Sequence, residues 1–537
     1  MPASRPRVAP FIWGFWFVAI AAIVVVRYVV DIGDRGMTNG ITFGILLLLV
    51  IPTTLIWFIF FTAWPRRVRF GTLVALMALG LGFSWLFEFQ GFSSEIVPMF
   101  TSRFAPRAAS APEPVDPGTV RIDLTSTTPY DFPGFLGANR DLRVDNVMLS
   151  SDWEAQSPEP LWRQQIGAGW AGFAVVNGFA ATLEERGGYE LVTLYDVRNG
   201  RLLWERQLGG EYDHVLAGRG PRSTPTIDEG NVYALGVWGN LVAIDGSSGD
   251  VLWEHDLLAE YGVSLEEEME AIQYGRSNSP LIVRDVLIIG VGGSRARRVS
   301  VAAYDKRTGE LRWEAGQRQV SMASPRLAQL GGREQVLVVN QDAVSGHDPD
   351  SGAVLWEFDW PGITSANSNV SQAVPVGSNR VFISKGYGAG AALYELDAQP
   401  GGTFTARQLW HRPRVLRTKI TNVVMHDGYA YGLSEGILEC VEVATGERVW
   451  KAGRYHHGQL LMVGKVLLVL TEDGELVMVE VSPENTNNVL GRFQAINGHT
   501  WNNFALYGDI VLVRNGQEAA AYRLPLVGGL EIIAARR

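Results

Sequence analysis

The stretch AYDKRTGELRW (Ala303–Trp313) is a strand end, an acid, a tight turn closing on Gly, and a second strand that reaches a Trp. Its shape returns as LYDVRNGRLLW (Leu194–Trp204), AIDGSSGDVLW (Ala243–Trp253), GHDPDSGAVLW (Gly346–Trp356) and CVEVATGERVW (Cys440–Trp450). Local chemistry accounts for each fixed position. The acid accepts main-chain N–H bonds inside the turn, and Gly takes the positive φ that the turn requires. Trp has a large face to bury between neighbouring units and an indole N–H that needs an acceptor.

Outward from these turns, the chain alternates short apolar runs with Gly, Asn, Asp and Pro, the pattern of many antiparallel strands. The closing Trp residues fall at 204, 253, 313, 356, 410 and 450. Four strands per unit of this size make a propeller blade. Six units carry the turn, the fifth altered to LYELDAQPGGTFTARQLW (Leu393–Trp410). A seventh, Leu460–Val481, has no closing Trp, and the last, Thr500–Leu524, stops after three strands. LWRQQI (Leu161–Ile166) is an orphan fourth strand whose pairing into the last unit closes the ring and removes its free edges. The expected fold is all-β: an eight-bladed β-propeller of four-stranded blades. LLAEYGVSLEEEMEAIQYG (Leu257–Gly275) reads as a short helical excursion.

The N-terminal part is of another kind. Phe11–Val30, Ile41–Trp64 and Phe70–Phe87 are apolar runs long enough to cross a bilayer as three transmembrane helices. Arg5 and Arg7 precede the first run, and Arg66, Arg67 and Arg69 lie between the second and third. Positive flanks stay cytoplasmic, so the N-terminus is expected inside and the propeller outside, on the periplasmic or extracytoplasmic side of the inner membrane. The expected division is a membrane anchor over 1–95, a Pro/Ala/Ser-rich linker and lead-in over 96–150, and the propeller over 151–530. YDFPGFLGANRD (Tyr130–Asp141) is expected to pack on the propeller.

Charge follows the same division. Residues 1–95 hold seven Lys/Arg and four Asp/Glu, and the remainder 39 basic against 52 acidic residues. An acidic ectodomain argues against nucleic acid as a partner. The lone Cys440 excludes an intrachain disulfide and any multi-Cys metal site.

The units resemble the PQQ-type β-propeller repeat of the quinoprotein alcohol dehydrogenase-like superfamily. The residues that carry the resemblance are AxDxxTGxxxW in Ala303–Trp313 and its relatives, and the Ser-x-Pro openings in RSTPTIDEGNVYALG (Arg222–Gly236) and SNSPLIVRDVLIIG (Ser277–Gly290). It covers roughly residues 130–525. The resemblance implies one of two branches: non-catalytic scaffolds, or dehydrogenases holding pyrroloquinoline quinone (PQQ) with Ca²⁺. The compact blades and the absence of a vicinal Cys pair favour the scaffold-like branch. The expected function is a membrane-tethered binding or scaffold module for an envelope protein partner or an anionic ligand, with no cofactor. The alternative is a PQQ-dependent alcohol or sugar dehydrogenase passing electrons to membrane quinone.

The connections between blades share one face. There the sequence collects Arg222, Arg276, Asn278, Lys385, Lys419, His457 and Trp501, which are expected to form an anion-binding funnel. GLSEG (Gly432–Gly436) matches a nucleophile-elbow pattern, but it joins two strands, so Ser434 reads as a turn residue. His456–His457 and SRARR (Ser294–Arg298) read as loop residues.

Overall fold

The structure is a computed structural model describing residues 9–30, 34–104, 120–361 and 368–528. It contains two units, one helical at the N-terminal end and one all-β.

Among the described residues, three helices are long and apolar enough to cross a membrane: Phe11–Val29, Arg35–Phe61 and Arg66–Leu86. The second begins six residues ahead of the apolar run because Asp34 caps it, its carboxylate accepting from the Met37 N–H at 2.8 Å. The third ends at Leu86, where Phe87 turns extended. The expectation was a linker from residue 96 onward. Instead Phe87–Phe92 and Pro98–Ser102 pair as an antiparallel hairpin. Its turn closes through the Ser93 N–H on the Val97 carbonyl at 2.9 Å. Residues 105–119 of the expected linker lie outside the described residues.

In the all-β unit, eight sheets follow the repeat in a propeller-like arrangement. Seven are four-stranded; the seventh in order gains a fifth strand, Arg143–Val144 from the lead-in, which pairs in parallel with Gln459–Val463. The eighth sheet is completed by Glu159–Gln165 against Glu518–Arg523, so the orphan strand does close the set. Opening strands of the first to fifth sheets lie against one another in turn, as do those of the sixth and seventh and of the eighth and first. The lead-in packs on this unit: Phe132 bridges Val175, and Leu136 and Leu142 are buried. Leu257–Glu260 and Leu265–Ala271 are the helical excursion.

Each Trp has the place its chemistry demands. Trp313 faces Ala303, with a bulge immediately after, and the same register holds Trp253 opposite Ala243 and Trp450 opposite Cys440. The indole N–H of Trp313 donates to the Pro349 carbonyl in the next sheet's turn at 3.1 Å, and Gly352 of that turn lies on its face. A Cβ on Gly352 would stand 2.5 Å from the indole, so only Gly fits. The turn acid also acts as expected, Asp305 accepting from the Arg307 and Thr308 N–H groups at 2.9 Å. In the seventh sheet the Trp position is Gly491, opposite Met478. Trp153, which follows the lead-in, fills the space, its ring edge-on to Phe493 at 5.6 Å.

The Ser-x-Pro openings are clasps between sheets. The Gly172 N–H donates to Thr224 Oγ1 at 3.0 Å, Thr224 N–H to Ser279 Oγ at 2.9 Å, and Ser279 N–H to Ser324 Oγ at 2.9 Å. The Gln372 N–H donates to Asn422 Oδ1 at 2.8 Å in the same way. Each satisfies a buried N–H that no ladder reaches.

Candidate functional site

The seven residues read from the sequence fall into four groups. Two are absorbed by the architecture. Arg276 is 1 % exposed and makes a two-pronged pair with Glu268 of the helical excursion, at 2.7 and 3.0 Å. The Asn278 side-chain amide donates to the Gly290 carbonyl at 3.1 Å, while its main-chain carbonyl accepts from the Ser223 hydroxyl.

Arg222 is half-buried. Its guanidinium lies 4.7 Å from the centre of the Tyr212 ring and donates to the Gly218 carbonyl at 2.9 Å and to that of Gly220. Burial pulls it down to about 10.

Lys385 and Lys419 come together. Both are buried, and their ammonium groups stand 6.0 and 5.3 Å from the centre of one ring, Tyr387. Lys385 ends the strand Arg380–Lys385, and Tyr387 stands two residues on in the turn with φ +55°. The Lys385 ammonium also donates to the Pro361 carbonyl at 3.0 Å. Burial pushes it down to about 8, because water no longer stabilises the charged form.

His457 and Trp501 meet through a residue the sequence reading missed. Glu472 is 3 % exposed. It accepts from the Trp501 indole at 2.9 Å and from the His457 main-chain N–H at 3.2 Å, and His499 Nε2 lies 3.2 Å from it. Trp170 adds an aromatic wall, 5.0 Å from Trp501 and 5.2 Å from His499. Glu472 sits in the turn TEDG (Thr471–Gly474), where an acid reads as turn chemistry. Its other partners come from distant positions in the chain, so no local signal marked it.

The remaining motifs keep their modest roles. Ser434 ends the strand Tyr429–Ser434 and accepts from the Arg417 N–H and the Lys451 ammonium, as a hairpin residue does. In SRARR, Arg295 pairs with Glu270 and Arg297 with Glu314. A cleft of about 940 Å³ lies between the third and fourth sheets, where Arg318 is shared by Asp342, Glu357 and Asp359. None of the seven residues lines it. Among the described residues no three His, Cys, Asp or Glu side chains gather as metal ligands.

Comparison with known proteins adds the following. The family model described as outer membrane protein assembly factor BamB matches residues 151–316 and 189–452. The BamB of Alteromonas naphthalenivorans is 25 % identical over 285 residues, 50 % of this chain and 62 % of that protein. Quinohemoprotein alcohol dehydrogenase ADH-IIG of Pseudomonas putida is 31 % identical over 146 residues, 26 % of this chain and 18 % of that protein. The chain thus spans less than two thirds of the length of these relatives. Among solved structures, a europium-containing methanol dehydrogenase has a TM-score of 0.56 at 12 % identity, covering 74 % of this chain and 98 % of its own. The ADHIIG structure from Pseudomonas putida HK5 has a TM-score of 0.52 at 13 % identity, covering 78 % and 84 %. These two likenesses are of fold.

Proposed function

The chain belongs to the propeller family described as outer membrane protein assembly factor BamB, within a superfamily that also holds the quinoprotein dehydrogenases, and from that premise we propose that it is a membrane-tethered binding platform. In this reading the three helices span the cytoplasmic membrane with the N-terminus inside. The eight sheets form an eight-bladed propeller on the extracytoplasmic side, and one face holds an acidic segment of an envelope protein. The observation that carries it is the pair Lys385 and Lys419 around Tyr387. Two cations beside one aromatic ring, in a domain that is otherwise acidic, attract a carboxylate and discriminate against a basic segment.

The test is titration of a fluorescently labelled Glu-rich peptide against the full chain in lipid nanodiscs. Lys385→Met with Lys419→Met is expected to weaken binding at least tenfold, and added salt to weaken the wild type. Unchanged affinity in the double variant overturns the reading. Arg276 is left out of this test, since losing it strands Glu268 in the interior.

The stretch of 31 % identity to ADH-IIG favours a second reading, a PQQ-dependent dehydrogenase. Titration calorimetry with PQQ and Ca²⁺ separates the two. Tight, calcium-dependent binding with reduction of an acceptor dye in the presence of an alcohol replaces the platform with an enzyme.

A further inference from the structure

The hairpin over residues 87–102 has two unlike faces. Phe89 pairs with Phe100, and Phe87 shares their side of the hairpin. Simple alternation would send Phe92 to the opposite side. A bulge between Phe89 and Gly91 inserts one residue, and Phe92 returns to the aromatic side, 5.2 Å from Phe89. Phe83 of the helix extends the same surface, stacking on Phe87 at 4.8 Å and meeting Phe100 edge-on at 5.0 Å. Glu88 and Thr101, paired with each other, occupy the other side. Phe89 and Phe100 are each 47 % exposed, and Trp85 and Phe104 nearby are exposed further.

Both ends of the hairpin are fastened to helix ends. At its base no residue intervenes between Leu86 and Phe87, and the Arg103 N–H donates to the Leu86 carbonyl at 2.9 Å. At its tip the Glu95 carbonyl accepts from Asn39 Nδ2 at 2.9 Å, and Gly36 is bare where a Cβ would meet the Ser94 carbonyl at 3.0 Å. Asn39 and Gly36 begin the second helix, whereas Leu86 ends the third. Consecutive spans run in opposite directions, so these two points belong to the same membrane surface. The third helix has 21 residues, about 31 Å at 1.5 Å per residue, which matches the hydrocarbon thickness and puts Leu86 at its boundary.

We propose that the hairpin lies along the outer membrane–water boundary, with Phe87, Phe89, Phe92 and Phe100 against the lipid and Glu88 and Thr101 toward the headgroups and water. Aromatic rings are favoured at that depth, and water at the boundary reaches the unpaired outer edges of the hairpin, which the hydrocarbon itself would not satisfy. The occupant of the aromatic face is therefore the bilayer. This inference rests on the reading of the three helices as membrane spans.

The test is site-directed spin labelling of the full chain in phosphatidylcholine/phosphatidylglycerol nanodiscs, on a Cys440→Ser background. Single cysteines replace Phe89, Phe100, Glu88 and Thr101, with Leu79 in the third helix as a depth reference. Collision with oxygen reports lipid, and collision with a water-soluble nickel chelate reports solvent. The oxygen-to-nickel ratio is expected to be several-fold higher at 89 and 100 than at 88 and 101, and highest at 79. Equal ratios at all four hairpin sites overturn the proposal, as does protection of 89 and 100 from both reagents, which marks a protein cover. If 79 itself collides with the nickel chelate, the spanning reading falls as well, so the two failures are distinguishable.

Discussion

Of the eight junctions between sheets, six are built alike, one has Gly491 where the Trp belongs, and one keeps its Trp but turns it. At Trp162, Trp204, Trp253, Trp313, Trp410 and Trp450 the indole N–H reaches a carbonyl near or in the next sheet's turn, at 2.7 to 3.1 Å. Trp356, between the fourth and fifth sheets, turns back instead. Its N–H donates to Gln335 Oε1 of its own sheet at 2.6 Å, over the bare Gly346. The cause lies across the junction. The fifth sheet joins its last two strands through a long hairpin, paired out to Ala398 and Phe404, and has no tight turn to present a carbonyl. Phe358 and Tyr394 stack in the gap at 3.7 Å. That same fifth sheet supplies Lys385 and Tyr387. Where the repeat departs from its own rule at the rim, it also carries the residues that the proposed function uses. The contrast teaches that repetition here is architecture, and departure from it is where specificity has room.

The strongest way to break the comparison is at a regular junction. Trp313→Ala removes a nearly buried indole and is expected to cost about 3–5 kcal/mol of stability, read by urea unfolding of the β unit. The N–H alone separates the two kinds of junction. Trp313→Phe leaves the Pro349 carbonyl without its donor, a loss of about 1 kcal/mol that no second substitution repairs, because the partner is main chain. Trp356→Phe leaves only the Gln335 Oε1 unpaired, at a similar cost, and Gln335→Met in the same chain restores part of it, since both polar partners are then gone while the Leu330 carbonyl loses the Gln335 amide. If the double variant is no more stable than Trp356→Phe alone, the two junctions do not differ as described.

How much of this was legible follows from the same contrast. The turn acid, the Gly and the Trp recur at fixed spacing, so sequence alone predicted the sheets, the closing strand at Leu161–Ile166 and the need of each indole for an acceptor. The hairpin at 87–102 was missed because its alternation is broken by a bulge and its first strand continues an apolar helix without a break. At the candidate site Lys419 was read from a connection and Lys385 from a turn on the same face, but their shared approach to Tyr387 depends on how the fifth sheet and the following connection are placed in space. The Arg276–Glu268 pair was not legible, because Glu268 lies in a helix that the repeat does not contain. Glu472 carried no signal at all, since its neighbours come from residues 457 to 501 on separate connections.

A milder probe acts on the turn glycines. At Gly352 the backbone is left-handed, φ +74°, and a methyl would strike the Trp313 ring. Gly352→Ala is therefore expected to cost about 2–3 kcal/mol, conformational strain plus a displaced indole. Gly401, in the long hairpin of the fifth sheet, has φ +89° and nothing within 4 Å of a would-be Cβ. Gly401→Ala is expected to cost only the conformational part, about 1 kcal/mol. Equal costs, measured by the same unfolding curves, would remove the distinction between the two turns.

The smallest effect is a pair of pH slopes of opposite sign, one from each kind of sheet. In the regular first sheet, Glu190 is buried, accepts from the Val237 N–H at 3.0 Å, and is pushed up to about 8 by burial. Its pKa is higher folded than unfolded, so its contribution is present below about 4.5 and is lost as pH rises toward 8. In the fifth sheet, Lys385 is pushed down to about 8. Between pH 8 and about 10 the folded chain has released that proton while the unfolded chain still binds it, so stability rises with pH. Glu190→Gln is expected to flatten the first slope and Lys385→Met the second, in melting temperatures followed from pH 5 to 10. The second slope bears on function. An acidic peptide seated beside Lys385 favours the charged lysine, so binding takes up a proton near pH 8 and affinity falls as pH rises through that value. Lys385→Met should bind weakly with no such fall. A wild-type affinity that stays level from pH 7 to 9 would show that this lysine does not face the bound anion, even if the stability slope is present.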